Sequence, residues 1–146
     1  MKSEVVVSIC ALFISFLAFC VSVITILSGQ HQKKIDNLIS LHLFLHQGEL
    51  SEARRYIREG GDQITLKNPL VRRVCSSFDF AGSLVRNGAV NKNMFFQYWS
   101  IPLSTLKRPL SQIAENTTGD NVKVDEYYKD FWWLLDRAQE YIHHTD

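Results

Sequence analysis

Val5–Leu27 reads VVVSICALFISFLAFCVSVITIL, a run of 23 residues without a charge. As a helix it is about 34 Å long at ~1.5 Å per residue. A hydrocarbon core is about 30 Å thick. Nothing in the stretch is more polar than Ser, Thr and Cys, so it reads as a membrane-spanning helix with some tilt. A secretory signal peptide carries a shorter apolar region, about 7–15 residues. Leu17-Ala18-Phe19-Cys20 follows the outline of a lipoprotein signal, but Phe19 stands where that signal takes a small residue.

The flanks give the orientation. Lys2 is cancelled by Glu4 on one side, whereas Lys33, Lys34, Arg54, Arg55 and Arg58 follow on the other. Positive charge stays in the cytoplasm. This predicts a single-pass membrane protein with its N-terminus outside. Residues 1–29 form the membrane segment and 30–146 a cytoplasmic domain. A reducing compartment fits Cys75, which has no cysteine partner in that domain. The chain has 146 residues and a net charge of +1. That suits one domain and excludes a collagen-like, disordered or disulfide-stapled chain.

Small residues line one side of the span. Ser8, Ala11, Ser15, Ala18, Ser22, Thr25 and Gly29 recur at spacings of 3, 4, 3, 4, 3 and 4. Lipid supplies no hydrophobic drive between helices, so small side chains that permit close approach, and hydroxyls that share hydrogen bonds, mark a self-association face. A 3.5-residue period predicts a left-handed seam. The expected partners are thus the bilayer and further copies of the chain.

Beyond the span the helix is expected to continue through Ile35, Leu38, Ile39, Leu41 and Leu45. Ser51 suits the cap of a short helix closed by Gly60 and Gly61. Asn68-Pro69 starts another, with Val71, Val74, Cys75, Phe78, Ala81 and Val85 on one face. Gly88 is the expected C′ residue, with Val90 as its hydrophobic contact. Asn91 caps a helix whose core face is Met94, Phe95, Tyr98, Trp99 and Leu103. Pro102 should kink or split that helix, Pro109 starts a further turn, and residues 116–119 are a loop. The last helix is expected from Val124 to His143, with Val124, Tyr128, Phe131, Leu135, Ala138 and Ile142 as its stripe. No strand pair is evident, so the fold class is all-α: one transmembrane helix, then a compact cytoplasmic bundle.

Charge divides unevenly. Residues 30–108 carry 12 basic and 6 acidic residues, and residues 109–146 carry 3 and 8. The preferred reading is self-complementarity within one bundle. The alternative is a basic surface for anionic lipid or RNA, and RNA is the lesser of the expected partners.

No metal-binding, P-loop, dinucleotide or nucleophile-elbow pattern occurs, so no cofactor or metal is expected. His42 and His46 are i, i+4 without a third ligand. Arg137 and His143 match the loose Arg-x(4–6)-His motif of HEPN RNases, in which arginine holds a phosphate and histidine moves a proton. Ala138 departs from the polar residue usual after that arginine. His143 turns about 240° from Arg137, whereas His144 shares its face. Trp133 lies ~180° from the apolar stripe, beside Arg137, Glu140 and His144. It reads either as an interface anchor, making Trp133, Arg137 and Glu140 a partner surface, or as a stack on Arg137.

The stretch Val74–Trp99, VCSSFDFAGSLVRNGAVNKNMFFQYW, resembles an uncharacterised bacterial family of short proteins with one N-terminal membrane helix and a helical cytoplasmic domain. The resemblance rests on an acid amid aromatics (Phe78, Asp79, Phe80), a basic-Gly-apolar turn (Arg86, Gly88, Val90) and an aromatic-rich helix. It implies this layout in the bacterial inner membrane, and no activity. The membrane helix, the stripe and the Arg137/His143 pair are also similar to the HEPN-like, pore-forming membrane accessory protein of type VI-B CRISPR systems. An RNase role is not carried over, because the motif is degenerate. The expected function is non-enzymatic self-assembly in the membrane with a cytoplasmic interaction domain, most concretely an antiviral-defence accessory or membrane-perturbing effector. The alternatives are a tethered HEPN-type RNase or RNA-binding protein using Arg137, His143 and His144, and a simple membrane-anchored adaptor for one cytoplasmic protein.

Overall fold

A computed structural model describes the backbone of residues 2–60, 64–117 and 127–144, and the side chains of residues 11–60, 64–112 and 127–144. Among them the order is α1 (Lys2–Leu45), α2 (Gly48–Glu59), α3 (Pro69–Arg86), α4 (Lys92–Thr117) and α5 (Lys129–His143), with no strand. One long apolar helix therefore leads into a helical bundle. That helix is long and apolar enough to cross a membrane, and its apolar window is not buried against the rest of the chain.

α1 passes without a break from the apolar run into the bundle. Leu38, Leu41 and Leu45 are buried there. The Asn37 side-chain amide donates to the Ala89 carbonyl at 2.9 Å, tying the helix to the turn after α3.

α2 begins three residues before the expected Ser51, and Gln47 precedes it without a side-chain cap. Burial decides the extra turn. Starting at Gly48 sets Leu50 on the same face as Ala53, Arg54 and Ile57, and all four are buried. α3 begins as its sequence dictates: the Asn68 side chain accepts from the Leu70 N–H at 2.9 Å, and Pro69 follows. All six expected face residues are buried. Its end is a complete Schellman motif, with Gly88 at φ 73°, Gly88 N–H on Val85 O, and Ala89 N–H on Leu84 O. Ala89 takes the C″ place. Val90, expected there, is buried one residue further on.

α4 runs through Pro102, Pro109 and Asn116 to Thr117 as one helix, so Pro102 does not split it and Pro109 does not start a separate turn; of the expected loop, Thr118 and Gly119 lie outside the described residues. Leu103, Leu106 and Leu110 are buried on both sides of the second proline, and burying this face offsets the backbone hydrogen bonds that the prolines cannot donate. The Ser104 and Thr105 hydroxyls bond back to the carbonyls of Ile101 and Pro102, both at 2.8 Å. Its buried face also holds Phe96 in place of Tyr98, which is exposed.

α5 is described from Lys129, and Val124, the expected start, lies outside the described residues. Leu134 joins Phe131, Leu135 and Ala138 in its buried face. α5 packs chiefly on α3 and α4, and α2 closes the other side of those two helices. At the centre Phe78 stacks on Phe131 with centroids 5.7 Å apart and meets Trp99 edge-on at 5.6 Å.

Candidate functional site

From Ala11 to Gly29 the side chains are exposed, except Cys20 at intermediate exposure, so no other part of the described chain covers them. The stripe residues Ala11, Ser15, Ala18, Ser22, Thr25 and Gly29 lie within this stretch. The Ser8 side chain is outside the described residues. Ser15, Ser22 and Thr25 donate their hydroxyls to the carbonyls of Ala11, Ala18 and Val21 at 2.9, 2.9 and 2.8 Å. Each hydroxyl is thus satisfied within its own helix, which lowers its cost in an apolar medium. What the stripe offers a neighbour is close backbone approach more than hydroxyl donors.

The end of α1 is held by a residue that its sequence context does not single out. Arg54, only 8 % exposed, donates to the Leu45 carbonyl at 2.6 Å. Its guanidinium carbon lies 5.1 Å from the Trp99 ring centroid and 5.9 Å from that of Phe78. The cation satisfies an orphan carbonyl at the negative end of the helix dipole, while the rings supply cation–π attraction. Burial, then Arg58, pushes the guanidinium below its ordinary range. His42 and His46 sit beside it, with ring centroids 4.3 Å apart, and His46 lies 5.0 Å from Trp99. Desolvation first, then His42 and Arg54, holds the His46 imidazole below its usual value, so its neutral form is favoured. No group of three potential metal ligands occurs among the described residues.

Next to this junction lies a groove of about 420 Å³ between α1 and α4, lined by Ile35, Leu38, Ile39, His42, Leu43, Met94 and Tyr98. Ile39, Leu43 and Tyr98 are 53 %, 65 % and 57 % exposed. The sequence placed Tyr98 on a core face and gave no sign of the groove.

The acid amid aromatics has a structural task. Asp79 Oδ1 accepts the N–H groups of Asp130 and Phe131 at 3.0 and 3.1 Å. It therefore caps α5, a helix whose own preceding residue, Tyr128, makes no side-chain cap. One turn further along α3, Gly82 lets the two backbones meet, since a Cβ there would overlap the Asp130 carbonyl. Arg86 then pairs with Asp130 at 2.9 Å. Lys107 reaches Asp136 at 2.8 Å and Gln139 at 2.6 Å. Both cross-helix ion pairs join the basic part of the chain to its acidic end.

The α5 surface residues separate. Trp133 is half-buried, with the Lys92 ammonium 5.6 Å from its ring and Phe96 edge-on at 6.3 Å. Lys92, not Arg137, is thus its cation. Arg137 pairs with Glu140 one turn on. His143 and His144 are exposed at the end of the helix. Cys75 is buried, and desolvation pushes its thiol up to about 12.

This architecture, an uncovered apolar helix continuous with a bundle tied by Asp79, Gly82 and Arg86, defines a class of single-helix-plus-bundle proteins. Within it, the chain belongs to the family of the domain of unknown function DUF4760, which matches residues 12–138. The match takes in most of the apolar run and stops short of His143 and His144. No curated protein and no solved structure matches the chain.

Proposed function

We propose that this chain is a non-enzymatic, self-assembling single-pass protein of the bacterial inner membrane, with its N-terminus outside and its bundle in the cytoplasm as an interaction domain. The observation that carries the membrane reading is the uncovered apolar half of α1. An exposed apolar surface of this length is unfavourable in water, and lipid or a second helix relieves it. The flanking lysines support the orientation, and the small-residue stripe supports assembly. The degenerate Arg137/His143 motif, with Ala138 after the arginine, supports an interaction role over a catalytic one. An antiviral-defence accessory or pore-forming effector is the most concrete version. It rests on the resemblance to the type VI-B accessory protein.

A reporter active only in the periplasm, fused after Asp146, should stay silent; a signal reverses the orientation. Ser15→Leu or Ser22→Leu should abolish crosslinked oligomers in membranes, whereas Phe16→Leu, off the stripe, should not. Oligomers unchanged by both Ser substitutions would make the stripe lipid-facing. Ion leakage on expression separates a pore from an adaptor.

A further inference from the structure

We propose that the groove between α1 and α4 is a second contact between copies of this chain, outside the membrane, and that its occupant is α1 of a neighbouring copy. The proposal rests on the self-assembly reading above and extends it to a separate surface.

Register is the first argument. α1 is one unbroken helix from Lys2 to Leu45, so the 3–4 spacing of the stripe continues past Gly29 through Gln32, Asp36, Ile39 and Leu43. Ile39 and Leu43 lie 14 residues, two heptads, beyond Thr25 and Gly29. Two such rods aligned along the stripe bring Ile39 and Leu43 toward the same residues of the other copy, because a heptad-spaced seam winds at 3.5 residues per turn and keeps its face toward its partner.

The second argument is what the bundle leaves bare. It buries Leu38, Leu41 and Leu45 on one side of α1, while Ile39 and Leu43 stay more than half exposed. These two residues, with Ile35 and His42, are the α1 wall and rim of the groove, and Met94 and Tyr98 of α4 face them. Ridge and groove therefore adjoin on one surface. A two-fold contact needs that arrangement, since each copy must offer the shape that the other lacks. Between the two apolar stretches, the Gln32 amide donates to the Asp36 carboxylate at 3.1 Å. A polar step in a seam fixes register at some cost in stability.

The test uses the full chain in its membrane, with Cys10, Cys20 and Cys75 replaced by Ala and one new cysteine introduced. Leu43→Cys reads the groove, Ser15→Cys the stripe, and Phe80→Cys an exposed position on α3. Oxidation should give a dimer-mass species from the first two and little from the third. A further Tyr98→Glu should lower the Leu43 crosslink about tenfold or more, since seating a carboxylate in an apolar contact costs upward of ~1.4 kcal/mol. The Ser15 crosslink should survive it, which also reports that the protein still inserts and assembles. A Ser15 crosslink without a Leu43 crosslink overturns the groove proposal and leaves the stripe standing. Loss of both removes the self-assembly reading and this proposal with it. A Leu43 adduct at the mass of another protein overturns the second copy in favour of a different partner.

Discussion

The two halves of α1 have nearly opposite surroundings although they form one helix. From Ala11 to Gly29 almost every side chain is exposed, and the hydroxyls bond back to their own helix. From Asn37 to Leu45 the helix buries three leucines, donates to the Ala89 carbonyl and has its own last carbonyl capped by Arg54. The difference teaches where specificity lies. The first half needs only to be apolar and, for the self-association proposed above, small on one face. The second half needs particular partners, because each buried polar group must find one. Substitutions should therefore be tolerated by chemical class in the first region and by identity in the second.

The largest effect that would test this contrast is truncation at the centre of the core. Phe78→Ala removes a ring that touches Trp99 and Phe131 and should destabilise the bundle by about 3–5 kcal/mol. Phe16→Ala in the uncovered half should leave its unfolding midpoint unchanged. Denaturant unfolding of the detergent-solubilised protein, followed by tryptophan fluorescence, checks both. Equal effects would break the comparison.

Gly82→Ala should come next, at about 1–3 kcal/mol, since its Cβ must displace the Asp130 backbone. Gly29→Ala, where a Cβ meets nothing, should not destabilise the bundle. Asp79→Ala should cost about 1–2 kcal/mol by uncapping α5, and Asp79→Asn less, because the amide oxygen can still accept.

The junction should respond to pH. The His46 imidazole is held below its usual value, so the unfolded chain binds more protons than the folded one as pH falls. Its contribution to stability is present above the ordinary pKa of 6.5 and is lost as pH falls from there through the lowered folded value. His46→Gln should flatten this part of the stability–pH profile. Cys75, with its thiol pushed up to about 12, should resist alkylation at pH ~8 until the bundle unfolds, as mass spectrometry of the alkylated protein would show.

The smallest effect belongs to the α5 surface. Arg137→Ala breaks only an exposed i, i+3 pair with Glu140 and should change stability by about 0.2–0.5 kcal/mol. Trp133→Ala should cost more, because that ring packs on Phe96 beneath Lys92. If Trp133→Ala leaves the fold intact and removes binding to a cytoplasmic partner, the Trp133–Arg137–Glu140 surface gains its support.

Local signals in the sequence determined a good deal. The charge-free run, the Asn68-Pro69 start, the α3 face and the left-handed Gly88 are short-range matters, settled by chain sterics and by hydrophobic periodicity within a few turns. Tertiary structure decided the rest. The start of α2 at Gly48, the continuity of α4 through two prolines and the burial of Phe96 in place of Tyr98 follow from which surfaces meet. Asp79, Gly82 and Arg54 act on residues 51, 48 and 9 positions away. No local pattern reports a cap, a close backbone approach or a buried cation made at such a distance. Only the packed bundle brings the partners together, and burial then makes each contact matter, because an unpaired polar group or an overlapping atom cannot be relieved by water.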